Sequence, residues 1–146
     1  MSAFDSYSRE QLRLTMAQAW AKHSENLPLT PLEALIADVI GAHPEYQGVI
    51  SDAQTAIAFE PSVAEAENPF LHLGLHLAVR EQLSIDLPPG IRDLHRRLQA
   101  RLGSAHDAEH ALMEALGEAL WQAQRSGVAP DEKHYLELAR IRLNRS

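Results

Sequence analysis

Cysteine is absent from this chain of 146 residues. That excludes disulfides, zinc ribbons, thiolate metal sites and a cysteine nucleophile. Any site for a borderline metal must then be built from imidazole and carboxylate. Basic charge is also short: 13 Lys and Arg face 20 Asp and Glu, a formal charge of −7. Nonspecific nucleic-acid binding needs a basic field, so this balance argues against it. Long hydrophobic runs are missing too. No stretch approaches 18 apolar residues, and the N-terminal MSAFDSYSRE lacks a basic region followed by an apolar one. The expectation is a cytoplasmic protein without a membrane segment, partnered if at all by a second copy or another protein. Glycine-rich phosphate loops, a nucleophile elbow and HExxH are likewise not found.

What is present is helical periodicity and eight histidines. The chain is long enough for one domain over 1–146. Ser8 and Gln11 form a potential capping box for a helix over Arg9–His23. Thr30, Pro31 and Glu33 mark a second start, and Pro44 closes that element. A short helical turn is expected over Glu45–Ile50. Residues 52–67 read as an irregular connection. Asn68-Pro69 opens a helix to about Leu87, before Pro88-Pro89-Gly90. Ile91–Leu102 is a basic helix ended by Gly103. Ser104 and Asp107 begin another, to about Arg125, with Trp121 expected in the core. Asp131 and Glu132 start the last, with Tyr135, Leu138 and Ile141 as its apolar stripe. Few β-branched runs and no Asn-Gly turns leave no strand to place. The fold class is all-α, a single-domain bundle of five to six helices.

Two of these helices carry metal-ligand spacing. His72 and His76 are four apart, as are His106 and His110, with Glu114 at the next interval and Glu109 one step round. Residues i and i+4 share a helix face, with Cβ atoms about 5–6 Å apart, so their nitrogens can converge on one cation. Eight histidines placed at random would give about 0.4 such pairs. His72 and His76 also lie on a helix apolar almost all round, where buried imidazoles need partners. A transition metal (zinc, iron or nickel) is one partner, held by His72, His76, His106 and His110 with Glu114 or Glu109. An open coordination position would then activate water or let iron handle oxygen. The alternative is a noncatalytic structural or protein-interaction domain whose buried histidines form a hydrogen-bonded network without metal, and no reaction follows from either. His43, followed by Glu45 and Tyr46, is a reserve candidate. His23 is explained by its place at a helix C-terminus, where the dipole favours an imidazolium, and His95 and His134 by a polar surface. Gly74 and Gly117, inside helices, suggest close helix approach or room beside a ligand.

Several segments together resemble a family. They are His43-Pro-Glu-Tyr46, Asn68 through His76, Glu81 through Asp86 with Pro88 through Arg92, and His106 through His110 with Trp121 through Arg125. Nearly the whole chain is similar to a bacterial family catalogued as domain of unknown function 1841. The resemblance implies a small helical cytoplasmic protein and assigns no activity. A looser likeness is to hemerythrin-like four-helix proteins, which hold iron between helices. His72-His76 matches their HxxxH and His110-Glu114 their HxxxE. The order is reversed and the first-helix ligand is missing or reduced to His23, which argues against a di-iron oxygen carrier and favours a mononuclear site.

Overall fold

The computed structural model describes residues 9–50 and 69–145. Among these residues every regular element is helical, so the fold is all-α as expected. The six longer helices are α1 (Arg9–Ser24), α2 (Pro31–Gly41), α4 (Pro69–Ile85), α5 (Ile91–Leu102), α6 (Ala105–Ser126) and α7 (Glu132–Arg145). Between α2 and α4 lie a 3₁₀ turn, Pro44–Tyr46, and the one-turn α3, Gln47–Ile50. The Ser8 cap and the 52–67 connection fall outside the described residues. None of the described helices is long and apolar enough to cross a membrane. By contact, the chain groups into two compact units, residues 1–77 and 78–146.

In the first unit α1 packs on α2 and α3. The start of α2 is fixed by a reciprocal cap. Glu33 N–H donates to Thr30 Oγ1 at 3.2 Å, and Thr30 N–H donates to Glu33 Oε1 at 2.9 Å. Glu33 also accepts from Lys22 Nζ at 2.7 Å, tying the end of α1 to the start of α2. That ammonium, with the Thr30 backbone, holds the Glu33 carboxyl below its ordinary range. Both charges meet water, so the pair adds little stability. Met16, Ile36, Ile40, Ile50, Leu73 and Leu77 form the fully buried centre. These come from α1, α2, α3 and α4 at helical intervals, which is why the apolar stripes were readable.

Leu71, on the same apolar α4, is instead 60% exposed. Gly74 is not a close-approach glycine: a Cβ built there would meet nothing within 4 Å. Gly74→Ala should therefore raise stability by about 0.5–1 kcal/mol, because alanine restricts the unfolded chain and favours the helix. A denaturant midpoint that falls in this variant would contradict that reading.

In the second unit α6 packs on α5 and α7, and α5 on α7. Ser104 caps α6 through its Oγ, which accepts from Asp107 N–H at 3.0 Å. Asp86 serves the chain reversal, as its position before Pro88 suggests. It holds a φ of 53°, and its Oδ1 accepts from Arg92 N–H at 3.1 Å, satisfying a donor in the first turn of α5. Gly90 and Gly103, at φ of 96° and 92°, flank α5 in the left-handed region.

Trp121 corrects an expectation. It is 55% exposed, with Arg125 stacked on its ring at 4.7 Å. The buried stripe of α6 runs through Leu112, Ala115, Ala119 and Ala123. Position 121 is two residues from both 119 and 123, on the opposite side of the helix. His95 and His134, expected in solvent, are half-buried. His95 Nε2 lies 3.3 Å from the Ala105 carbonyl oxygen, and His134 is hydrogen-bonded to Gln122.

Tyr135 is buried in α7, and its hydroxyl donates to Gln82 Oε1 of α4 at 2.7 Å. Burial disfavours the phenolate and pushes the hydroxyl pKa well above the ordinary tyrosine value. The folded pKa is thus raised. The associated stability is fully present below about pH 10, the unfolded value, and is lost as pH rises beyond it. Urea midpoints should fall along an alkaline limb starting near pH 10, and Tyr135→Phe should flatten that limb. The same variant should cost about 1 kcal/mol at pH 7, because Gln82 loses its donor. An unchanged limb in Tyr135→Phe would assign the alkaline loss to other groups.

Candidate metal centre

The first unit gathers three histidines from two places in the chain. His72 and His76 project from one face of α4, one turn apart. His43 arrives from the end of α2. That helix stops at Gly41, and Pro44 keeps the preceding residue out of helical geometry. His43 accordingly sits at φ −127°, ψ 72° and turns its ring inward. His76 is 1% exposed and His43 6%, while His72 is half-buried.

The three rings form a near-equilateral set. Centroids are 5.1 Å apart for His43 and His72, 4.7 Å for His43 and His76, and 4.8 Å for His72 and His76. The planes cross at 73°, 61° and 76°. One ligand nitrogen of each lies within 4.8 Å of the others. These figures can be tested against a metal. A bond of about 2.0–2.1 Å places an imidazole centroid roughly 3.2 Å from the ion. Two such rings would lie about 4.5 Å apart at a right angle and about 5.2 Å apart at the tetrahedral angle. All three observed separations fall inside that window. The residues present therefore fit an ion held by three imidazoles.

Orientation of His43 is set from behind. Its Nδ1–H donates to the Val39 carbonyl, 2.8 Å away. A carbonyl only accepts, so Nδ1 carries a proton, and in the neutral ring Nε2 keeps its lone pair for a ligand. A backbone carbonyl on the far nitrogen is a common way to fix a metal-ligating imidazole. Tyr46 adds an aromatic wall. In a 3₁₀ turn residues three apart eclipse, and Tyr46 N–H donates to the His43 carbonyl at 3.0 Å. The Tyr46 ring consequently lies nearly parallel to that of His43, with centroids 5.5 Å apart and planes 8° apart. It meets His72 edge-on at 5.8 Å.

The other sequence-derived candidates lie in the second unit. His106 and His110 stand together on α6 with centroids 4.2 Å apart; His106 is exposed and His110 half-buried. Glu109 is buried, and its Oε1 accepts from Arg80 Nε at 3.0 Å. Glu114 is largely exposed and lies 3.3 Å from Arg142 Nε. His110 and Glu114 also line a cleft of about 410 Å³ with Asp107, Arg142 and Arg145. Thus the two carboxylates expected beside the histidines each have an arginine partner. His23 is exposed and stacks on Trp20 at 5.2 Å.

His43, a reserve candidate by sequence, stands beside His72 and His76 in this cluster. The usable signal was the four-residue His43-Pro44-Glu45-Tyr46, whose i,i+3 spacing suits a 3₁₀ turn that stacks the tyrosine on the imidazole. No curated protein and no solved structure matches the chain. A family model described as Domain of unknown function (DUF1841) matches residues 8–141, nearly its whole length, and the chain belongs to that family.

Proposed function

We propose that this protein binds a single transition-metal ion through His43, His72 and His76. The observation that carries the reading is the triangle of imidazoles, whose three centroid separations of 4.7, 4.8 and 5.1 Å match rings sharing one ion. Neutral imidazoles suit zinc, iron and nickel, and zinc is the reference ion here. Arginine contacts leave Glu109 and Glu114 outside the ligand set in this reading, and exposure does the same for His106. The role proposed is metal binding, with no reaction assigned.

Elemental analysis of protein purified without a histidine tag tests this. About one equivalent of zinc, iron or nickel per chain is expected, and its removal by chelator should lower the melting temperature. A ligand present at 100 times its Kd stabilises by about 2.7 kcal/mol, which is readily seen in a melt. Metal-free protein that takes up none of the three ions, and whose melting ignores chelator, would support the hydrogen-bonded histidine network instead.

A further inference from the structure

We infer that Tyr46 is a positioning residue for the three-histidine site, its ring setting the plane of His43 and the angle between His43 and His72. The inference rests on the metal reading above and concerns how the imidazoles are held ready for the ion. Much of His43 is fixed without the tyrosine ring. Its N–H donates to the Ile40 carbonyl at 2.9 Å, and its own carbonyl accepts from Tyr46 N–H at 3.0 Å. The bond from Nδ1–H to the Val39 carbonyl then pins one ring atom at 2.8 Å. A ring pinned at one atom can still tilt about it, and the tilt decides where Nε2 points.

Tyr46 removes that tilt. Its ring lies 8° from the plane of His43 with centroids 5.5 Å apart, within the range of offset-stacked rings. It can serve as a platform because it is itself held: it is half-buried and packs against the core of the first unit. The angles carry the argument to His72. Tyr46 crosses the plane of His72 at 66°, and His43 crosses it at 73°. A ring parallel to Tyr46 must meet His72 at nearly the angle Tyr46 does, so the stack fixes the relation between two of the imidazoles. A bond of about 2.0–2.1 Å tolerates little misdirection, and an imidazole that wanders holds an ion more weakly.

The test uses the full chain and zinc, with affinity read by competition against a chromogenic chelator. Tyr46→Phe keeps the flat face and should bind zinc within about twofold of wild type. Tyr46→Leu keeps apolar bulk without that face and should bind about tenfold more weakly, the low end of what is lost when a ligand's support is removed. A second readout needs no metal. Carbon-13 relaxation of the His43 ring in the zinc-free protein should show a rigid ring in wild type and Tyr46→Phe, and a more mobile one in Tyr46→Leu. Wild-type affinity in a folded Tyr46→Leu protein, or a mobile His43 ring in the zinc-free wild type, would overturn the inference and leave the metal reading standing. Equal losses in Tyr46→Phe and Tyr46→Leu would also overturn it, by assigning the effect to the hydroxyl. If zinc does not bind the wild type at all, the metal reading itself fails.

Discussion

His76→Ala should lose the metal. His76 is the most deeply buried of the three proposed ligands and stands within 4.8 Å, centroid to centroid, of both others. Structural zinc sites bind with apparent energies of about 10–16 kcal/mol, or about 2.5–4 kcal/mol for each of four ligands. Losing one should weaken binding on the order of a few hundredfold. Competition with a chromogenic chelator measures this directly. Alanine also leaves a cavity at this buried position, so the apo protein should melt lower as well. His76→Gln fills most of that space and separates the two effects. It should keep the fold and still lose the affinity. Wild-type affinity in a folded His76→Gln protein would remove this histidine from the site.

Glu109→Ala should be among the most damaging substitutions in the second unit. The Glu109 side chain is 10% exposed and that of its partner Arg80 27%. Removing one member of a buried pair leaves an uncompensated charge, at about 3–5 kcal/mol when burial is complete. Because Arg80 can reach water, about 2–4 kcal/mol is the better estimate. For a chain of this length that lowers the melting temperature on the order of 5–15 °C. A double variant, Arg80→Met with Glu109→Leu, should recover much of the loss, because neither side then buries an unmatched charge. Equal losses in the single and double variants would mean that Glu109 matters for its packing alone. Metal content should stay near one equivalent in either variant, since the pair is not proposed to hold the ion.

Local order was readable in the sequence where local physics decides it. Thr30, Pro31 and Glu33 announced α2, and the cap is present with both hydrogen bonds. Ser104 and Asp107 did the same for α6. His72 and His76 were readable as a pair because i,i+4 spacing puts them on one face regardless of tertiary structure. Trp121 was not readable: a large apolar residue four positions from Gly117 resembles a core residue until the buried stripe of α6 is known. His43 and His72 are brought together by packing across 29 positions of sequence, which periodicity within one helix does not encode. Arg80 and Glu109 are the same distance apart, so the partner that occupies the carboxylate was equally hidden.

Nitrogen-detected NMR of the imidazoles is the most direct test of the central claim. Protein labelled with ¹⁵N at histidine, stripped of metal and titrated with zinc, reports each ring nitrogen separately. Ring signals of His43, His72 and His76 should move together and stop at one equivalent of zinc, with the shift at His43 on Nε2. His23, His95 and His134 should stay in place. The account is contradicted if His43, His72 and His76 do not respond to zinc, or if only exposed rings such as His23 and His106 do.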